Sequence, residues 1–121
     1  MILFPIALLS LTVPDKTCNL SAQWGTRLPK KTAGAYEVRD NGGVAMWGFI
    51  RASDTSLEDF ASGAGRETPH RPIILHAAGA DCAAVERYAG IIEASANCAP
   101  DWCFVSYKPA PPLATRPGTP N

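Results

Sequence analysis

The chain has 121 residues, of which 46% are hydrophobic and 18% charged, with 11 basic and 11 acidic residues. This composition excludes wholesale disorder and suits one compact domain. Because there is neither a basic excess nor a concentrated basic patch, we expect no nucleic-acid partner. Five of the 11 prolines fall within the last 13 residues. We therefore expect residues 108–121 to form a Pro-rich disordered tail.

The N-terminal residues are apolar, and residues 1–14 carry no charge. A bilayer span needs roughly 20 apolar residues, and a signal peptide opens with positive charge. We interpret this segment as a hydrophobic anchor that is truncated, with a weak signal sequence and a buried segment as alternatives. Residues 15–34 lack periodicity and contain turn residues, so they predict a linker before a domain at residues 35–107.

A β-hairpin is predicted at the start of this domain. Residues 35–39 alternate between the two faces of a strand, and Asn41–Gly42 tolerates the positive φ angles of a tight turn. Residues 44–50 are apolar on both faces, so the second strand is expected to be more buried. Gly48 indicates a bulge or a close backbone approach within that strand.

A short helix follows the hairpin. Thr55 and Glu58, three residues apart, form a capping-box pattern at its start. Leu57 and its helically spaced neighbours give one apolar face, and Gly63 and Gly65 are expected to end the helix.

A βαβ unit completes the domain. Residues 71–78 and 102–107 are predicted strands, and residues 82–97 between them form an amphipathic helix with Asp81 as the N-cap. A right-handed crossover makes these two strands parallel. The predicted fold is α+β in two layers: a small mixed sheet of four strands, the hairpin plus the βαβ unit, with two helices on one face.

The four cysteines are Cys18, Cys82, Cys98 and Cys103, and none forms a CxxC pair. An even number fits an oxidising compartment, in which Cys98 and Cys103 would close a short loop as a disulfide. Free, packed cysteines are the alternative. A zinc site that combines three of them with His76 matches no common zinc spacing, so no metal is expected.

Four features, taken in order, carry a family resemblance. They are the apolar end with Thr12–Val13–Pro14 and later Leu28–Pro29–Lys30, the hairpin at 36–50, the short helix around SLEDF, and the strand–helix–strand segment RPIILHAAGADCAAVERYAGIIEASANCAPDWCFVSY. Over residues 4–107 this order resembles the periplasmic part of the ExbD/TolR family of biopolymer-transport proteins. The family's membrane-embedded aspartate has no counterpart, because residues 1–14 contain no acidic residue.

The resemblance implies an accessory subunit of a complex in the bacterial inner membrane that is driven by the proton-motive force. Such a subunit crosses the membrane once, holds its domain in the periplasm and acts by pairing and partner binding, without catalysis or cofactor. The implied partners are a second copy, a polytopic motor subunit of the ExbB/TolQ type and a TonB/TolA-like envelope protein. An exposed edge strand accepts a partner segment. The candidate edge residues are Tyr36 and Val38 in the first strand and Phe104 and Val105 in the last.

Two other functions compete with this one. The first is a small secreted or periplasmic binding domain that a disulfide stabilises and that has no link to a motor. The second is an enzyme with Cys82 as nucleophile, since a helix N-terminus lowers a thiol pKa. No known catalytic motif is present, and His76 on a buried strand is expected to be a hydrogen-bonded core residue.

Overall fold

The computed structural model describes residues 17–109 and contains five strands and two helices. Their bounds are β1 Tyr36–Asn41, β2 Val44–Trp47, β3 Ile50–Ala52, α1 Asp54–Gly65, β4 Ile73–His76, α2 Cys82–Ala96 and β5 Cys103–Ser106. The predicted anchor and nearly all of the predicted tail lie outside the described residues. Within residues 17–109, no helix has the length and apolar character needed to span a membrane.

The strands form one mixed sheet in the order β3-β2-β1-β4-β5. β1, β2 and β3 are antiparallel neighbours, whereas β1, β4 and β5 run parallel. The predicted α+β class with a mixed sheet and a helix layer is confirmed, as is the parallel pairing of the βαβ strands. The sheet has five strands rather than four.

The additional strand arises at Gly48. This glycine has a φ of 62°, in the left-handed region that glycine adopts without steric cost. The chain therefore turns at residues 48–49, and Ile50 pairs with Trp47 in an antiparallel ladder. The prediction of one strand over 44–50 with a bulge was wrong, because Gly48 reverses the chain instead.

The helix boundaries follow from their caps. Ser53 caps α1, and its side chain accepts a hydrogen bond from the Ser56 amide at 3.1 Å, so the helix begins before the predicted Thr55–Glu58 box. α2 begins after Asp81, as predicted. It ends at Ala96, one residue before the predicted end at 97, and Asn97 with a φ of 58° forms a left-handed C-cap.

The core lies between the sheet and the helices. The helices contribute fully buried side chains such as Leu57, Val85 and Ile92, and the sheet contributes Val38 and Leu75. Each side chain of this size stabilises the fold by about 1.5–3 kcal/mol when removed from water. The other sheet face carries no helix and bears Glu37, Arg39, His76 and Ser106 at alternate positions.

Residues 17–25, which we call the strap, pack onto the domain instead of forming part of a linker. Trp24 is buried in the core, and Cys18 forms a disulfide with Cys82 at the start of α2. The Gly25 amide donates to the Cys103 carbonyl and its own carbonyl accepts from the Val105 amide, both at 2.8 Å. This contact could not be predicted from the sequence, because the contact is made by single residues that show no periodic spacing.

Candidate partner-binding site

The first predicted edge strand lies in the middle of the sheet. β1 is hydrogen-bonded to β2 on one side and to β4 on the other, and Val38 is fully buried. The expectation that Tyr36 and Val38 mark an exposed edge is therefore wrong. The reason is the parallel pairing of β1 with β4, which places the βαβ unit beside the first strand of the hairpin.

The second predicted edge strand is at an edge, but the strap covers it. Phe104 and Val105 lie in β5, the last strand of the sheet. The outward Cys103 carbonyl and Val105 amide are both bonded to Gly25. A partner strand cannot use these groups while the strap is in place.

The opposite edge is β3, and it is open among the described residues. Within residues 17–109, no strand pairs with the outer side of β3. Phe49 and Ile50 at its start are 43% and 54% exposed, which is unusual for large apolar side chains next to a strand edge. Open edges with apolar side chains accept further strands.

All four cysteines are oxidised. The disulfides join Cys18 to Cys82 and Cys98 to Cys103. The hypotheses of free cysteines and of Cys82 as a nucleophile do not fit this structure, because Cys82 has no free thiol. The pairing of Cys18 was not predicted, since four cysteines allow three connectivities that sequence cannot distinguish.

The sulfur atoms of Cys18 and Cys82 lie near the Glu86 carboxylate. Within the described part of the chain, these three residues form the only cluster with metal-ligand atoms close together. Metals bind cysteine as thiolate, which these disulfide-bonded cysteines do not provide. Glu86 instead accepts a hydrogen bond from the Asn19 amide at 2.7 Å and so helps hold the strap.

A buried imidazole lies on the face of the sheet that has no helix. His76 is 8% exposed, and its Nε2 lies 2.9 Å from Oε1 of Glu37. The same carboxylate oxygen lies 3.5 Å from Arg39. His76 Nδ1 is buried and has no hydrogen-bond partner within residues 17–109.

The Glu37 carboxylate determines what His76 offers to a ligand. A carboxylate only accepts, so Nε2 donates to Glu37, and when the ring is neutral its Nδ1 is an acceptor. Ser106 lies beside it in register on β5, buried at 6% exposure. Its hydroxyl both donates and accepts. The prediction of a buried, hydrogen-bonded His76 agrees with this geometry, but its carboxylate partner carried no sequence signal.

Two adjoining cavities border this pair. The first, of about 240 Å³, has His76, Ser106, Thr32 and Ile74 among its lining residues. The second, of about 440 Å³, includes Arg27. Leu28, Ser106 and Lys108 line both cavities.

A separate polar cluster joins β1 to the segment between α1 and β4. Tyr36 donates to Glu67 at 2.6 Å, and Arg71 contacts both side chains. The pKa of Glu67 is lowered, chiefly by the hydrogen bond from Arg71 and secondly by the one from Tyr36. The pKa of Arg71 is raised, chiefly by the hydrogen bond that Arg71 donates to Glu67. Desolvation raises the pKa of Tyr36. These shifts favour the charged forms of Glu67 and Arg71, so the cluster acts as a structural clamp.

A hydrogen bond also ties α2 to β1. Tyr88 donates to Asp40 at 2.6 Å, and desolvation raises the pKa of its hydroxyl. Both polar clusters therefore connect β1 to elements elsewhere in the domain.

Comparison with family models, curated proteins and solved structures finds no match to this chain.

Proposed function

We propose that this chain is an accessory subunit of a membrane energy-transduction complex of the ExbD/TolR type. Its domain would lie in the periplasm and would act by pairing with a second copy and with envelope partners. The observation that carries the proposal is the order of elements: a β-hairpin, the additional strand β3, a helix, a strand, a helix and a last strand, with both helices packed on one sheet. Apart from β3, this is the order that the sequence resemblance implies.

The cysteine chemistry supports a location outside the cytoplasm. Two disulfides in a domain of this size are typical of oxidising compartments and rare in the cytosol. The Cys98–Cys103 disulfide is buried, which fits a structural role rather than a catalytic one.

The open edge at β3 supports pairing as the mode of action. Main-chain groups on a free strand edge supply affinity, and neighbouring side chains supply specificity. Phe49 and Ile50 provide apolar contact area at this edge, whereas the strap occupies the edge at β5.

A first experiment tests the complex. The full chain, tagged at its C-terminus, is co-expressed with a polytopic subunit of the ExbB/TolQ type from the same organism. We expect the two to co-purify from detergent-solubilised membranes. A chain that is found only in the soluble fraction and does not retain the polytopic subunit would contradict the motor proposal.

A second experiment tests pairing at β3. Ile50→Cys adds one thiol at the open edge, and Glu58→Cys adds a matched thiol on the exposed face of α1. If two copies pair edge to edge, mild oxidation links Ile50→Cys chains into dimers and leaves Glu58→Cys chains monomeric. Equal cross-linking of both variants would argue against pairing through β3.

A secreted or periplasmic binding domain without a motor is the second candidate. The observation that favours it is the Cys18–Cys82 disulfide, which ties the strap into the domain and gives a unit stabilised by covalent bonds. Release of the domain into the periplasm or medium in soluble form, with both disulfides intact, would favour this function.

A further inference from the structure

The two cavities beside His76 form a groove on the face of the sheet that has no helix. They share Leu28, Ser106 and Lys108, so they are continuous along the end of β5. This groove is separate from the β3 edge, because β2, β1 and β4 lie between β3 and β5.

The groove is lined by His76, a residue that carries a buried polar atom without a partner. His76 is more than nine-tenths buried, and its Nδ1 has no hydrogen bond within residues 17–109. Buried polar groups in folded proteins are almost always satisfied, so such an exception calls for a ligand or a catalytic role.

The hydrogen-bonding character of the groove favours an amide. With Nε2 directed to Glu37, the Nδ1 atom accepts, and the adjacent Ser106 hydroxyl donates. A residue in an extended segment points its own N–H donor and its own carbonyl acceptor to the same side, and these match the two groups. Leu28 and Ile74 provide apolar walls for the side chains on either side of that unit.

The charges favour an acidic side chain at the other end. Arg27 and Lys108 both line the larger cavity, and both are exposed. The carboxylate in the groove, Glu37, already contacts Arg39 and His76. The larger cavity therefore presents positive charge to a ligand.

We propose that this groove binds an extended peptide segment of a partner protein, with a main-chain amide at His76 and Ser106 and an acidic side chain at Arg27 and Lys108. The inference deepens the proposed function and rests on it for the class of partner. It assigns partner recognition to a second surface, distinct from the edge that pairs two copies.

The test uses the full chain, labelled with ¹⁵N, and two synthetic peptides. The probe is N-acetyl-Leu-Glu-Leu-amide, and its uncharged match is N-acetyl-Leu-Gln-Leu-amide. We expect the Glu peptide to shift the signals of His76, Ser106 and Thr32, with an affinity in the range of about 1 mM because the peptide is short. The Gln peptide is expected to bind about tenfold more weakly, since it lacks the charge that Arg27 and Lys108 attract.

Four variants separate the contributions. Ser106→Ala and His76→Gln are expected to weaken both peptides at least about fivefold, because each removes a group that contacts the amide. Gln at position 76 retains an N–H donor for Glu37 and so limits the structural change. Arg27→Gln and Lys108→Gln are expected to weaken the Glu peptide and to leave the Gln peptide unchanged.

Two results would overturn the proposal. One is the absence of shifts at His76 and Ser106 up to about 10 mM peptide, well above the expected dissociation constant. The other is equal binding of the two peptides by the wild-type chain. The titration needs no motor subunit. A negative titration therefore does not affect the co-purification result, and a negative co-purification does not affect the titration.

Discussion

The sheet ends in β3 on one side and in β5 on the other, and within the described residues only the β5 edge is covered. At β5, the strap hydrogen-bonds to the strand through Gly25, fills the core with Trp24 and is fixed by the Cys18–Cys82 disulfide. At β3, Phe49 and Ile50 are exposed beside unpaired main-chain groups. One edge is therefore closed by the chain's own strap, and the other has the open strand and apolar side chains that the proposed pairing of two copies requires.

The largest expected effect comes from removing the disulfide that fixes the strap. The Cys18–Cys82 bond spans 64 residues, so the double variant Cys18→Ser/Cys82→Ser should lose about 4 kcal/mol of unfolding free energy. Urea unfolding followed by Trp fluorescence measures the loss. Hydrogen exchange at the Val105 amide should rise as well, because its acceptor lies in the strap; unchanged exchange there would show that the strap stays in place without the bond.

The next effect tests how closely the strap approaches the domain. A Cβ at residue 25 would meet the Pro100 carbonyl well inside van der Waals contact and crowd the Phe104 ring. Gly25→Ala should therefore cost up to about 3 kcal/mol through overpacking.

Gly63→Ala is the control for that substitution. Gly63 lies within α1, and nothing in the described chain lies within 4 Å of its added Cβ. This variant should gain about 0.5–1 kcal/mol, since alanine favours a helix over glycine. A similar loss in both variants would contradict the close approach at the β5 edge.

A smaller loss is expected for the disulfide that does not hold the strap. Cys98 and Cys103 are five residues apart, so Cys98→Ser/Cys103→Ser should lose about 2 kcal/mol in urea unfolding. Exchange of the Val105 amide should change little relative to the loss of global stability. A loss larger than that of the Cys18–Cys82 variant would reverse the ranking of the two bonds.

At the open edge, the effect on stability should be close to zero. Ile50→Lys replaces a half-exposed side chain and should change the unfolding free energy by no more than about 0.5 kcal/mol. It should nevertheless abolish dimer formation in sedimentation experiments, because charge on an edge opposes strand addition. Thr55→Lys, on the exposed surface of α1, should leave dimerisation unchanged.

The smallest effect concerns the Glu67 cluster, away from both edges. Its hydrogen bonds lower the pKa of Glu67 in the folded state, so the contribution is present above the ordinary glutamate range and is lost as pH falls through the folded value. The Tm of the wild type should exceed that of Glu67→Gln at neutral pH. The two should converge once the pH falls below the lowered pKa of Glu67 in the folded state; a constant difference would contradict the ionic origin.

The parts of the fold that sequence predicted are those with local signals. Asp81 and Asn97 delimit α2, and its apolar stripe fixes the face that meets the sheet. β3 was missed because residues 44–50 are apolar on both faces of the predicted strand. The spacing of apolar residues therefore gave no sign that the chain reverses direction at Gly48.

The candidate site was hidden for a different reason. Glu37 and His76 are 39 residues apart and lie in different strands. Cys18 pairs with one of three cysteines that the sequence alone does not distinguish. Their association follows from strand register, which no short motif encodes. The open edge at β3 could not be identified from the sequence either. Which strands lie at the edges of the sheet depends on β1 pairing with β4, and this pairing has no sequence signal.

The Cys18–Cys82 disulfide also determines how the domain would respond to mechanical tension. A pull on the chain ahead of Cys18 passes through the sulfur–sulfur bond to the first turn of α2, and the Cys98–Cys103 bond shortens the remaining route to β5. The hairpin, α1 and β4 lie outside this covalent route. Without the longer bond, the 64-residue separation could extend by about 200 Å, so oxidation makes the domain a short, stiff link between its two ends.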